Sequence, residues 1–353
     1  MRIRSMPYFL IAIPSIILIA LMCSCISLEI SHDIDPSPEH PNIYYYGRIK
    51  KEKNKIILGW PGSSIYFQFH GSECRLQFQD KGNNYLKIKI DDQNWITRRP
   101  RGEIDLSPLL SQAKTHKVFI IKKTEGWMGD VWFEGLHLGV DGKLLKLKQP
   151  SKHIEFIGDS ITAGIIGGVP MKNKFSDAQK TYAFQVAQKL NAEFRLIAWS
   201  GMGLVRNSGE PKEKSDVTMQ QYFLRAMPLS SATWDFTSWQ PQVVVIALGH
   251  NDLSRPKVPD EIFSQNYKIF LKKIMKYYPQ TDIFVCETFY GFYGEALKKL
   301  INKLSTEGTK KLHYLDTSDW LTPSDIINGH PTENGHKKIA TNLLFQIKKQ
   351  MQW

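Results

Sequence analysis

The stretch Ile154-Glu-Phe-Ile-Gly-Asp-Ser-Ile-Thr-Ala-Gly164 decides the fold of the second half of the chain. It opens with a short, largely apolar run, which is typical of a buried strand. Ser160 follows directly, between Gly158 and Gly164. A tight turn at a strand end can expose a serine hydroxyl and direct its N–H group at a reacting carbonyl. Alone, Gly-Asp-Ser is equally compatible with an ordinary turn, so its interpretation depends on the rest of the chain.

Further apolar runs follow this strand at residues 194–198, 243–248, 283–286 and 312–315. Between and after them, apolar residues recur at three- and four-residue steps, which predicts amphipathic helices. Strands that alternate with helices predict a parallel sheet covered on both faces, a three-layer α/β/α domain, over residues 151–353. Such sheets place their ligands at the carboxyl ends of the strands.

The front of the chain has a different pattern. Between residues 44 and 150, short segments alternate apolar and polar residues, as in 64–69, 74–78, 85–90 and 116–121. No helical pattern of comparable strength occurs there. The alternation predicts a two-layer β-sandwich of about 100 residues. The fold class is therefore α/β, with an N-terminal β-sandwich followed by the parallel-sheet domain.

The N-terminus is predicted to be an export signal. Two arginines precede an uncharged, apolar run over residues 7–22, which is the layout of a bacterial signal peptide. Cys25 resembles the acylation site of a lipoprotein better than Cys23 does. An uncleaved membrane anchor is the alternative, since spanning a bilayer takes roughly 17 residues at least. We expect residues 1–25 to be this signal, residues 26–43 to form an extended tether, and the protein to be a periplasmic, outer-membrane or cell-surface lipoprotein.

Composition narrows the function classes. The formal net charge is +12, but the lysines are spread along the chain among acidic residues, which indicates a solvated surface rather than a nucleic-acid-binding patch. Beyond the signal only Cys74 and Cys286 remain, in different predicted domains, so we expect no disulfide framework. No cysteine cluster has the spacing of a zinc site. No feature of the sequence predicts a protein partner.

Three more segments place polar groups at strand ends or in a late loop. Gly201 follows the second strand of the α/β domain, Asn251 follows the third, and His330 precedes the last helix. Each has a structural alternative: a strand-to-helix turn, a helix cap and a surface histidine, respectively. Together with Ser160 they supply a nucleophile, a base and three oxyanion donors, namely two backbone N–H groups and the Asn251 amide. The set predicts acyl transfer, with Ser160 as nucleophile and His330 as general base.

These blocks resemble those of the SGNH (GDSL) hydrolases. The front half resembles that of carbohydrate esterase family 2, in which a jelly-roll domain precedes the hydrolase domain. The phrases that carry this second resemblance are Tyr45-Tyr-Gly-Arg48, Trp60-Pro-Gly62, Thr124-Glu-Gly126 and Phe133-x-Gly135. The resemblance implies an acetylated poly- or oligosaccharide substrate such as xylan or glucomannan, removal of its acetyl groups, and no metal or organic cofactor.

The chain departs from the family pattern at three positions. His250 stands where many relatives have threonine, beside the oxyanion amide. Asn328 stands where relatives often have aspartate, and Gly329 replaces an aromatic residue that forms a stacking wall for the sugar. Without that aspartate, Asn328, through its amide or its backbone carbonyl, or Asp325 is the candidate for orienting His330. We therefore predict a serine–histidine dyad.

Two other functions stay open from the sequence. One is a lipase, thioesterase or envelope-glycan deacylase of the same fold, because fold and site do not name the acyl acceptor. The other is a carbohydrate-binding lipoprotein without catalysis. The sandwich is either a spacer, with Trp60 and Trp127 packed inside it, or a contributor to the substrate cleft.

Overall fold

A computed structural model describes residues 36–169, 176–254 and 256–353. The predicted export signal and most of the predicted tether lie outside these ranges. The part of the tether inside them is packed: Pro36 and Pro38 are buried, and the Tyr45 hydroxyl donates to the Pro38 carbonyl at 2.6 Å. Packing therefore begins before residue 43, the predicted end of the tether. Within the described ranges, no helix combines the length and apolar character needed to cross a membrane.

The first domain is built from short antiparallel strands, as the alternating pattern predicts. Its strands are β1 (Ile43–Tyr46), β2 (Ile49–Glu52), β3 (Lys55–Leu58), β4 (Ser64–His70), β5 (Arg75–Gly82), β6 (Leu86–Ile90), β7 (Ile96–Arg98), β8 (Gly102–Asp105), β9 (Thr115–Lys122), β10 (Gly129–His137) and β11 (Lys143–Leu145).

The strands form two sheets that face each other. One has the order β1-β4-β9-β6-β7, with β11 also pairing with β4, and the other has the order β2-β3-β10-β5-β8. Alternate residues of both sheets point inward and form one core, which includes Phe67, Phe69, Phe78 and Phe133, all fully buried. The predicted β-sandwich is confirmed.

The second domain contains a parallel sheet of five strands: β12 (Lys152–Gly158), β13 (Ala192–Ala198), β14 (Val243–Ala247), β15 (Asp282–Cys286) and β16 (Leu312–Leu315). Their spatial order is β13-β12-β14-β15-β16, so the chain reverses its direction of travel across the sheet after β13. The helices are α1 (Ser160–Ala163), α2 (Tyr182–Leu190), α3 (Met219–Tyr222), α4 (Asp260–Tyr277), α5 (Gly294–Thr306) and α6 (Glu333–Met351).

Helices cover both faces of this sheet. Apolar residues of α4 and α5 share one buried cluster with strand residues such as Val244 and Ile246. Those of α2 and α6 share a second cluster with the alternating strand residues, such as Val243 and Val245. Because both faces are covered, successive residues of β14 are all apolar. The three-layer α/β/α architecture is confirmed.

A buried ion pair joins the two domains. Arg48 and Glu155 are both fully buried, and the Arg48 guanidinium lies 3.1 Å from each carboxylate oxygen of Glu155. The same guanidinium also donates to the backbone carbonyls of Phe223 and Arg225. Removing one member of such a pair typically costs about 3–5 kcal/mol, because the other charge is left buried without a partner. The pair therefore favours a fixed arrangement of the sandwich against the hydrolase domain.

Candidate active site

Ser160 lies where strand β12 gives way to the short helix α1. The Asp159 side chain caps this helix by accepting from the Ile161 N–H at 3.0 Å. The turn is tight: a Cβ on Gly158 would lie 2.0 Å from Thr162 Oγ1, so only glycine fits there. Burial raises the pKa of Asp159 to about 7. The serine hydroxyl is thus held at the carboxyl end of the sheet's central region.

His330 is presented by a small hairpin made of β17 (Ile326–Ile327) and β18 (His330–Pro331). Asn328 and Gly329 form its two-residue turn and have φ of 52° and 71°. Positive φ at both positions is what a type I′ hairpin turn requires, and Asn-Gly is the preferred pair for it. The two departures from the family pattern at 328 and 329 therefore have a local structural reason.

Ser160 and His330 meet in the structure. Ser160 Oγ lies 2.9 Å from His330 Nε2, and His330 Nδ1 lies 3.0 Å from the Asn328 carbonyl oxygen. A carbonyl only accepts, so it selects the tautomer with the proton on Nδ1 and a lone pair on Nε2 toward the hydroxyl. Burial lowers the pKa of His330 below its ordinary value, although the Asn328 carbonyl opposes this. The imidazole is therefore neutral at neutral pH and able to accept a proton.

Asp325, the other candidate for orienting His330, is engaged elsewhere. Its carboxylate accepts from the N–H and hydroxyl of Thr322, from the Asn334 amide at 2.9 Å and from the Lys338 ammonium at 2.6 Å. These contacts hold the pKa of Asp325 well below its usual range. Of the two candidates for orienting the imidazole, Asp325 ties the base of the hairpin to α6, and the backbone carbonyl of Asn328 is the group that contacts His330.

Gly201 lies in a loop, residues 199–208, that is held from several sides. Asp252 accepts from the consecutive N–H groups of Leu204, Val205 and Arg206 at 2.7–2.9 Å. Gly201 itself has a φ of 78°, a conformation that glycine adopts without strain. The structure assigns its N–H no hydrogen-bond acceptor among the described residues, so this donor remains available.

Asn251 reaches toward the same region from the end of β14. Its Nδ2 donates to the Met202 carbonyl at 2.8 Å and lies 3.3 Å from Asp159 Oδ2. The first contact is a normal hydrogen bond, and the second is longer than the usual N–H···O range of roughly 2.7–3.2 Å. The hydrogen bond to the Met202 carbonyl therefore fixes the Asn251 side chain, and the second hydrogen of the amide is held only weakly by Asp159.

A cleft of about 930 Å³ brings these groups together. Ser160, Gly201, Asn251 and His330 all line it, so the structure unites the four predicted residues. The sandwich also contributes, through Trp127, whose side chain is 50% exposed. Within the described part of the chain, no group of three or more His, Cys, Asp or Glu side chains is arranged to hold a metal ion.

His250 lines the cleft, and Tyr290 packs against its ring beside Gly329. Their ring centroids lie 5.0 Å apart, and the Tyr290 hydroxyl donates to the Gly329 carbonyl at 3.1 Å. Burial, together with the nearby His330, lowers the pKa of His250. Two rings thus stand near the position where relatives carry an aromatic side chain.

Sequence reasoning missed three features of this site. Two of them are Tyr290 and Glu125, a cleft-lining residue of the sandwich that contacts Ser200. Both lie outside the strand-end motifs of the hydrolase domain, so their positions depend on tertiary packing that periodicity does not reveal. The hairpin that presents His330 was detectable, because Asn328-Gly329 is a strong turn signal.

Fold and site together define a class: a GDSL-type hydrolase domain, with a serine–histidine pair at the carboxyl ends of a parallel sheet, joined to a β-sandwich. Residues 45–147 match the Carbohydrate esterase 2 N-terminal family, and residues 156–338 match the GDSL-like Lipase/Acylhydrolase family. The chain belongs to the family 2 carbohydrate esterases.

Similar proteins agree with this assignment. The chain is 30% identical to an acetylxylan esterase / glucomannan deacetylase of Cellvibrio japonicus over 94% of this chain and 96% of that one. It is 29% identical to the Cellulase/esterase CelE of Acetivibrio thermocellus over 90% of its length, and it spans 40% of that longer protein. A family two carbohydrate esterase from Clostridium thermocellum, solved in complex with cellohexaose, superimposes with a TM-score of 0.79 at 29% identity, covering 88% of this chain and 99% of that one.

Proposed function

We propose that this protein removes O-acetyl groups from acetylated poly- or oligosaccharide, with Ser160 as nucleophile and His330 as general base. The observation that carries the proposal is the 2.9 Å contact between Ser160 Oγ and His330 Nε2 in the cleft. The names of the Cellvibrio japonicus relatives, acetylxylan esterase / glucomannan deacetylase, support the acetyl and polysaccharide parts.

Acylation begins when His330 Nε2 takes the hydroxyl proton of Ser160 and Oγ attacks the acetyl carbonyl carbon. The carbonyl electrons move onto its oxygen, which the N–H groups of Ser160 and Gly201 and the Asn251 amide bind. When this intermediate collapses, the bond to the sugar oxygen breaks. The sugar oxygen takes the proton from Nε2, which leaves a free sugar hydroxyl and acetyl-Ser160.

Deacylation repeats these steps with water. Water gives a proton to His330 Nε2 and attacks the acetyl carbon, and collapse returns the proton to Ser160 Oγ as acetate leaves. The imidazolium formed in each half-reaction is stabilised by a neutral carbonyl, that of Asn328, rather than by a carboxylate. The site is therefore a dyad of two side chains, Ser160 and His330, and the backbone carbonyl of Asn328 takes the place of the usual third side chain.

The weakly held hydrogen of Asn251 completes the oxyanion site in this proposal. Its 3.3 Å contact with Asp159 is easily exchanged for a shorter, charge-assisted bond to a developing oxyanion. The bond to the Met202 carbonyl meanwhile keeps the side chain in place. Asn251 thus binds the intermediate more strongly than the resting state, which is the condition for catalysis.

Acetate release tests this function and separates it from the related alternatives. We expect acetate from acetylated xylan or acetylated glucomannan, and little hydrolysis of long-chain nitrophenyl esters. Ser160→Ala, purified in parallel, is the control for contaminating esterases. Preference for the long-chain esters would indicate a lipase, and glycan binding without acetate release would indicate a non-catalytic binding protein.

We also propose that the protein is exported and held at a membrane surface by its N-terminus. The apolar run over residues 7–22 and the cysteine at Cys25 support this. Metabolic labelling with a fatty-acid analogue is expected to mark the wild type and not Cys25→Ala. Membrane association of an unlabelled, uncleaved chain would instead indicate the anchor.

A further inference from the structure

The sandwich domain places a carboxylate against the loop that carries Gly201. Glu125, just after β9, is fully buried. One of its oxygens accepts from the Ser200 N–H at 2.8 Å and the other from the Ser200 hydroxyl at 2.7 Å. Ser200 directly precedes Gly201, so these two bonds fix the residue whose carbonyl forms the peptide bond to the Gly201 nitrogen.

The carboxylate is itself firmly held. The fully buried Lys122 ammonium donates to the backbone carbonyls of Thr124 and Glu125, each at 2.9 Å. Gly126 packs so closely on the hydrolase domain that a Cβ there would lie 2.7 Å from Pro228. Displacing the Glu125 backbone would remove one of the two acceptors of the buried Lys122 side chain, which is costly for a buried polar group. The sandwich therefore presents Glu125 as a rigid support.

Trp127 is the second group on this carboxylate. Its indole, whose N–H is the only donor that the side chain has, lies close enough to Glu125 to lower the pKa of that carboxyl, against the larger effect of burial. Its half-exposed ring lines the same cleft as Ser160 and His330. An indole face is a suitable surface for the apolar C–H face of a sugar. Glu125 thus contacts both the oxyanion loop and a ring that faces the substrate.

We propose that Glu125 is a positioning residue that couples the sandwich to the reaction, fixing the Ser200–Gly201 peptide for oxyanion binding and holding Trp127 against the sugar. This inference rests on the proposed function and deepens it. The coupling is geometric, because a negative charge beside a developing oxyanion is unfavourable in itself. Loss of Glu125 should therefore have two separate effects. It should change kcat through the position of Gly201, and it should change KM through the position of Trp127.

The variants follow from these contacts. Glu125→Ala releases the loop of residues 199–208 and the Trp127 indole. We expect kcat to fall about 10- to 100-fold. Deleting an oxyanion donor outright typically costs roughly 10²–10³-fold, so this loss should be at or below the lower end of that range. Glu125→Gln can still accept from the Ser200 N–H and donate to its hydroxyl, so kcat stays within about threefold of wild type. Trp127→Ala raises KM for acetylated glycan by a larger factor than it changes KM for nitrophenyl acetate, because that ester carries no sugar.

Glu155→Gln is the matched control, because Glu155 is an equally buried carboxylate that also joins the two domains but does not line the cleft. We expect it to lower the melting temperature without changing kcat. The experiment compares kcat and KM on nitrophenyl acetate and on acetylated glycan for all variants, together with melting temperatures.

The outcomes are distinct. A folded Glu125→Ala with wild-type kcat and KM overturns the inference, as does a Glu125→Gln as impaired as the alanine variant. If Glu125→Ala does not fold, Ser200→Ala takes its place, because it removes the hydrogen bond between the Ser200 hydroxyl and Glu125. The inference is then overturned if kcat is unchanged in Ser200→Ala and KM for glycan is unchanged in Trp127→Ala. Wild-type acetate release that Ser160→Ala abolishes keeps the proposed function standing in all these cases, whereas a wild type that releases no acetate overturns both.

Discussion

Replacing Asn328 with glycine removes its side chain but keeps the backbone carbonyl that lies 3.0 Å from His330 Nδ1. Glycine also accepts the positive φ of 52° found there, so the hairpin turn persists. Because the carbonyl supplies the contact, we expect kcat for Asn328→Gly to stay within about threefold of wild type, a barrier change of roughly 0.7 kcal/mol at most.

Asn328→Asp adds the charge that the family pattern usually has. A hydrogen bond to a charged group contributes about 1.5–3 kcal/mol and a neutral one about 0.5–1.5 kcal/mol, so a carboxylate that replaced the carbonyl would change the imidazolium energy by about 1–1.5 kcal/mol. The side chain at 328 is exposed, and solvent reduces this effect. We therefore expect the pKa of His330 to be higher in this variant than in the wild type, by less than the unscreened difference would give.

Asn328→Val is the disruptive comparison, because a β-branched residue is strained at positive φ. Displacing the Asn328 carbonyl leaves the His330 imidazole without its orienting contact. We therefore expect kcat to fall by up to the contribution of general-base catalysis, which is roughly 10²–10⁴-fold.

The assay is kcat/KM for nitrophenyl acetate as a function of pH. Activity requires neutral His330, whose pKa is lowered by burial, so the acidic limb of the wild type lies below the ordinary histidine value. Asn328→Asp should move that limb to higher pH. Asp159, whose pKa is about 7, is present in the wild type and in every variant, so its titration does not contribute to the difference between them. A loss of more than about 30-fold in Asn328→Gly, with the fold intact, would refute the assignment of the carbonyl as the orienting group.

Three further predictions concern neighbouring residues. Asn251→Ala should lower kcat by roughly 10²–10³-fold with a smaller change in KM; an effect below tenfold in steady-state kinetics would remove it from the oxyanion site. Asp325→Asn should leave kcat within about threefold and lower the melting temperature at neutral pH; because the native contacts lower the pKa of Asp325, this stability difference should shrink as pH falls through the range where the carboxylate protonates. His250→Thr should change relative kcat/KM among acetylated glycans, because its ring forms the wall beside Gly329, and keep nitrophenyl acetate hydrolysis close to wild type; the reverse pattern would contradict that placement.

The fold was predictable where the side-chain pattern repeats locally. Alternation over 64–69 and 116–121 matches β4 and β9, and the apolar run at 243–248 matches the fully covered strand β14. The residues Ile339, Leu343 and Ile347, spaced four apart, lie on the buried face of α6. These elements were predictable because burial of one face, or of both, determines which positions are apolar, and that spacing can be read directly from the sequence.

The site was predictable in part, for a physical reason. Ser160, Gly201 and Asn251 follow strands, and strands of a parallel sheet end at one edge, so topology brings these residues together. The orienting group of His330 was not predictable, because a backbone carbonyl leaves no side-chain signature. Glu125 was not predictable either, since its contact with Ser200 joins residues 75 positions apart in two different domains.

Covalent labelling tests the central claim most directly. A fluorophosphonate reacts with a serine that a neighbouring base activates, and mass spectrometry of the digested protein locates the adduct. We predict one adduct, on Ser160, much slower labelling of His330→Ala, and none on Ser160→Ala. Labelling at another residue, or equal rates with and without the His330 imidazole, would contradict the activation of this hydroxyl by its neighbour.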